Sequence, residues 1–135
     1  MNSQKPQLTE IQILHKLRDL LVNFLDELIE SFPQEGDFLT FRILIKDQIP
    51  MSDIAMYVAM SLCPLSNMVK EKDENFFLKN NVLFDGFSDH EMNRINHFKN
   101  MWLSPSMDAG DKEAMWKWFE AIISVGNSYR KLKGM

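Results

Sequence analysis

Apolar positions along this chain recur at helical intervals. Leu14, Leu17, Leu21, Phe24, Leu25, Leu28 and Phe32 share one side of a helix, in the spacing that gives an amphipathic stripe. Ile11, Leu20, Val22 and Ile29 widen the apolar arc to about 200°, where about 100° suffices for a surface helix. Lys16, Asp19, Asn23, Asp26, Glu27 and Glu30 form the complementary polar strip. Thr9 with Gln12 has capping-box spacing, and Leu8 with Ile13 has that of a hydrophobic staple. The first helix is expected to run to about Ser31, ahead of Pro33.

Pro33-Gln34-Glu35-Gly36 is loop material. Asp37 is placed to cap a second helix, Phe38–Ile49. Residues 38–45 also suit a short buried strand, but no partner strand is evident and helix is expected. Ser52 is expected to cap a third helix through about Leu62. Pro64 breaks or kinks it, or opens a new turn carrying Leu65, Met68 and Val69. Asp73-Glu74 leads into Asn75–Lys79. Val82-Leu83-Phe84, between the turn signals Asn80-Asn81 and Asp85-Gly86, is expected to plug the core. Ser88 and Glu91 form a second capping box, with Phe87 and Met92 as its staple. Met92, Ile95, Phe98 and Trp102 line the buried face of the helix that follows, and Pro105 and residues 107–110 end it. A last helix starts near Asp111, with acidic residues in its first turn and Arg130, Lys131 and Lys133 near its end, as the helix dipole favours. The expected fold is all-α: one compact domain of five or six helices over residues 8–133, after a loose N-terminal segment 1–7.

The last helix carries two apolar stripes. Met115, Trp118, Ile122, Val125, Tyr129 and Leu132 fall within about 100° of arc. Trp116, Phe119 and Ile123 form a second stripe displaced by about 100° or more. Gly126 lies between the stripes. A glycine inside a helix costs ~1 kcal/mol relative to alanine and commonly permits a close approach. Trp118 is therefore expected in the core, and Trp116 on an edge covered by another helix or by another molecule. The second possibility makes Trp116, Phe119 and Ile123 a candidate protein interface, because tryptophan is enriched among interface hot spots.

Composition narrows the function class. The chain has 135 residues, 45% hydrophobic and 25% charged, enough for one core. Ten methionines suit core filling and also adaptable binding surfaces. The net charge of -4 disfavours a nucleic-acid binder that works by phosphate neutralisation. A nucleic-acid accessory role through the basic C-terminal helix, with Lys112 and Lys117 contributing, is the alternative. Cys63 is the single cysteine, so no internal disulfide forms and a reducing, intracellular setting is expected. No apolar run approaches the ~20 residues of a membrane span, and no signal-peptide stretch is seen.

No catalytic constellation emerges. His90 and His97 are seven residues apart, whereas a helical zinc pair prefers i, i+4. His15 and Asp19 suit a local ion pair or hydrogen bond. Cys63 lacks a recognisable histidine motif and reads as a small buried residue. Lys70-Glu71-Lys72-Asp73-Glu74 reads as a solvated face. Neither a catalytic residue, a cofactor nor a metal is expected.

Phe76-Phe77-Leu78, Leu83-Phe84, Asn96-His97-Phe98-Lys99-Asn100-Met101-Trp102, and Asp111-Lys112-Glu113 followed by Trp116-Lys117-Trp118-Phe119 resemble, in order and spacing, uncharacterised small proteins of large nucleocytoplasmic DNA viruses of the algal-virus and mimivirus group. The resemblance covers roughly residues 50–130 and carries no catalytic residues. It implies a viral protein of the host cytoplasm or the virion. The expected function is a non-enzymatic interaction or structural protein that self-associates or docks on a protein partner.

Overall fold

The capping box at Thr9 forms as its spacing dictates. The Thr9 hydroxyl accepts from the Gln12 N–H at 3.2 Å, and Gln12 Oε1 accepts from the Thr9 N–H at 2.9 Å. With its first donors satisfied, α1 runs Glu10–Ser31 and closes as the Phe32 N–H bonds to Leu28 O. The structure is a computed structural model that describes residues 8–135. The segment 1–7, expected to be loose, lies outside the described residues.

Helix α2 spans Gly36–Ile43 and continues as a wider π turn over Leu44–Gln48, closed by the Ile49 N–H on Leu44 O at 2.8 Å. Residues 38–45 are therefore helical. Glu35, not Asp37, holds the cap position, and Asp37 sits in the first turn, where its charge suits the dipole. Pro50 holds Ile49 extended. Helix α3, Met51–Tyr57, starts directly after Pro50, so Ser52 lies inside its first turn and does not cap it.

Pro64 explains the next irregularity. It cannot donate to the carbonyl four residues back, and its ring crowds that carbonyl. The chain widens into a π turn over Val58–Leu62, with the Cys63 N–H reaching Val58 O. It then tightens into a 3₁₀ turn, Cys63–Leu65, before α4, Ser66–Lys70. Helix α5, Glu74–Lys79, is capped by Asp73 through the Phe76 N–H. Val82–Phe84 forms a 3₁₀ turn. It does not plug the core: Val82 is exposed, and Leu83 and Phe84 are half-buried. Three residues between two turns are too short to reach past the helices, and the Leu83 carbonyl instead accepts from the Tyr57 hydroxyl at 2.6 Å.

Helix α6, Asp89–Leu103, carries the expected Ser88–Glu91 box. Helix α7, Ala109–Lys133, begins two residues before the expected Asp111, because Asp108 and Asp111 form a capping box of their own. Gly134, left-handed at φ 69°, closes it. Among the described residues the fold is all-α.

Helices α1 and α7 form an antiparallel spine, with Lys133 bonded to Glu10 at 2.8 Å where the end of one meets the start of the other. Helices α2 and α3 pack on α1, while the π turn after α3 and helix α4 pack on α7. One apolar core runs from Ile13 to Tyr129 and takes in Leu17, Ala55, Val69, Met115 and Ile122. Gly126 marks the tightest crossing. A Cβ there would lie 2.6 Å from Val58 Cγ1 and 2.7 Å from Cys63 Sγ. The expected close approach is made by two side chains at the ends of the π turn.

Candidate functional site

The two tryptophans of α7 exchange their expected roles. Trp116 is only 5% exposed. It packs edge-on against Trp102 of α6 at 5.4 Å and Phe119 at 6.0 Å between ring centroids, with Phe77 of α5 at 5.9 Å. Such edge-on aromatic pairs exceed the value of their area by about 0.5–1.5 kcal/mol each. Ile123 is also buried, and its carbonyl faces the Cys63 thiol at 3.7 Å. Phe119 is half-buried and presents its edge to both Phe24 and Trp116. The structure thus brings Trp116 and Phe119 together, but closes the Trp116–Ile123 edge with residues of its own chain. Angles around a helix count the faces that need cover and do not identify what covers them.

Trp118, expected in the core, is only half-buried. Its ring stacks on Phe24 at 5.6 Å, and its indole N–H donates to the Glu27 carboxylate on the polar edge of α1. A buried indole needs an acceptor, and Glu27 supplies one only where α1 meets solvent.

The remaining polar candidates make local pairs. His97 Nε2 lies 2.6 Å from Glu35. That hydrogen bond, reinforced by the carboxylate's charge, raises the His97 pKa above its usual value. Arg94 faces Asp37 at 3.8 Å nearby, so α6 is tied to the start of α2. Both partners of each pair are partly exposed, and such pairs contribute little stability. His90 is exposed and makes no ion pair among the described residues. No group of three metal-ligating side chains occurs among the described residues. Cys63 is buried, and burial pushes its thiol up from the ordinary value, opposite to the activation a nucleophile needs. The basic residues of α7 are partly engaged: Lys112 lies over the Trp102 ring, and Lys133 bonds Glu10 while lying over Tyr129. Lys72 bonds both oxygens of Glu113.

Open apolar side chains lie elsewhere. Leu39, Ile43, Met60, Val82 and Leu103 are exposed but stand apart from the groove beside Ile11. Ile11 is 68% exposed, and Leu8, one turn earlier, and Ile49, before Pro50, are exposed as well. Beside Ile11 a groove of about 140 Å³ runs between α1 and the start of α3, lined by Ile11, Leu14, His15, Arg18 and Met51. Its lining is mostly apolar, with His15 and Arg18 as its polar members. His15 makes no hydrogen bond to Asp19 among the described residues; it faces this groove instead. Ile11 already belonged to the over-wide arc of the first helix, so half of this site was visible in the sequence. Met51 was not, because only the turn at Ile49-Pro50 brings it beside α1.

No single helix among the described residues is long and apolar enough to cross a membrane. The bent pair Gly36–Gln48 and Met51–Lys70, meeting at 119°, has that length and composition only when taken together. Compared with protein-family models, curated proteins and solved structures, the chain matches none of them.

Proposed function

We propose that this chain is a non-enzymatic protein-interaction domain. It docks on a second copy of itself or on another protein through the apolar rim of Leu8, Ile11 and Ile49 around the α1–α3 groove. The observation that carries this is the exposure of Ile11, 68% beside the buried Ile13 and Leu17 of the same helix. Apolar surface removed from water contributes roughly 25 cal/mol per Å², and an exposed apolar patch bordered by polar groups commonly marks an interaction site. The proposed interface moves from Trp116, Phe119 and Ile123, which the chain covers itself, to the first turns of α1. The viral resemblance adds a setting in which such a domain works in host cytoplasm or in the virion.

A photo-crosslinking residue at position 11, compared with one at exposed Glu120 on α7, tests the proposal. The expected result is a discrete adduct from position 11, to itself or to one partner, that Glu120 does not give and that Ile49→Asp abolishes. Equal or absent crosslinking from both positions overturns it. Light scattering on the purified chain then separates self-association from docking on another protein.

A further inference from the structure

We infer that residues 74–100 form a lid over two aromatic rings of the core, fastened by the His97–Glu35 pair, and that the lid opens more readily as pH rises from 6 to 8. This is independent of the α1–α3 rim. Among the described residues, no side chain from Lys70 to Asn100 is buried. The core stops at Val69 and resumes with Met101 and Trp102, which anchor the two ends of the segment. Helix α5, the 82–84 turn and all of α6 ahead of Met101 therefore lie on a core that the other helices complete. A segment without buried apolar contacts opens at lower free energy than the elements that hold the core.

Edge contacts keep the lid closed. Phe98 meets the buried Phe38 edge-on at 6.1 Å, and Phe77 meets the buried Trp116 at 5.9 Å. Opening uncovers one side of each buried ring. The Tyr57 hydroxyl holds the Leu83 carbonyl and titrates only at about 12. The charged ties are His97 to Glu35 at 2.6 Å and Arg94 to Asp37 at 3.8 Å, both joining α6 to the start of α2. Lys72 and Glu113, 2.7 Å apart, sit at the base of the lid. Of the groups in these ties, only His97 changes charge near neutral pH. His90, on the same helix, makes no ion pair among the described residues. Glu35 and Asp37 face His97 from the α2 side. The Glu35 hydrogen bond, with the charge of both carboxylates, holds the His97 pKa above its ordinary 6.5. A value raised in the closed form contributes to closure in full below 6.5, and the contribution is lost as pH rises through the raised value. An exposed pair of this kind shifts an equilibrium by only about two- to fivefold. That is small against unfolding of the core, but it is measurable in a segment that opens by itself.

Amide hydrogen exchange of the whole chain, followed by rapid-mixing mass spectrometry, tests this, with rates corrected for the chemical pH dependence of exchange. At pH 6, protection in residues 74–79 and 89–100 is expected to be about tenfold or more below that in α1 and α7. From pH 6 to pH 8 it should fall a further two- to fivefold, about the effect of one exposed pair, while α1 and α7 keep theirs. His97→Gln, at an exposed position, should begin near the wild-type pH 8 level and show no such fall. Glu35→Gln, which removes the charge of the other partner, should behave alike. Lid residues as well protected as α1 and α7 overturn the inference. A fall of the same size in wild type and in both variants also overturns it.

Discussion

The Trp116 cluster and the α1–α3 groove begin from the same fault in the sequence, a helix with more apolar arc than one neighbour can cover. At Trp116 the excess is closed by Phe77 of α5 and Trp102 of α6. At Ile11 the excess stays open. The difference lies in what the chain has to spare. Residues 74–103 supply Phe77 and Trp102 to the Trp116 face of α7, whereas at the first turns of α1 the start of α3 and the end of α7, through Lys133, leave Ile11 uncovered. An over-wide arc therefore states a demand for cover, and the shorter elements decide whether it is met from within.

Substitutions at the two sites should separate them sharply. Trp116→Ala is expected to cost about 3–5 kcal/mol, the range for removing a buried aromatic side chain. Ile11→Ala should stay within about 0.5 kcal/mol, as surface substitutions do. Equilibrium urea unfolding measures both, and a Trp116→Ala cost below that of Ile11→Ala would reverse the comparison. Gly126→Ala tests the closed side at its tightest crossing. Alanine improves helix propensity by up to ~1 kcal/mol, but its methyl meets Val58 and Cys63 at under 3 Å. The clash should prevail, with a net loss of about 1–3 kcal/mol, partly restored by adding Val58→Ala. A stabilised Gly126→Ala would mean that the crossing is looser than the geometry indicates.

The smallest effect concerns the outer wrapping. Tyr57 donates its hydroxyl to the Leu83 carbonyl, and burial pushes its pKa from 10.0 up to about 12. Because the folded value is raised, this contribution is complete below pH 10 and is lost as pH rises through about 12. Thermal unfolding of wild type and Tyr57→Phe from pH 8 to 12 should show the wild type losing its advantage only in the last two pH units. A constant difference across that range would separate Tyr57 ionisation from the hold on the 82–84 turn.

How much of this the sequence disclosed follows from what each signal measures. Capping boxes at Thr9 and Ser88 are local hydrogen-bond geometry, and both formed as their spacing required. The third, at Asp108, has the same two-ended pattern but uses Asp111 in place of the usual Glu or Gln, which hid it. Periodicity made the helices legible, with Gly126 as a close crossing, because both depend on neighbours along one helix. The exchange between Trp116 and Trp118 was not legible. It depends on Glu27, Phe77 and Trp102, which reach α7 from 91, 39 and 14 residues away in sequence. The groove was half legible for the same reason, through Ile11 but not Met51.

The π turn at Val58–Leu62 carries one residue more than regular helical winding would use there. The wide turn takes up that extra residue locally, within a single loop of helix, so Val69 stays shielded against the spine and Cys63 stays beside Gly126. Excising it should let the helix wind regularly with the following segment near its present face, whereas a further insertion has no wide turn left to take it up. The five residues from 58 to 62 thus act as a store of one spare residue, with Met60 exposed on its outer side.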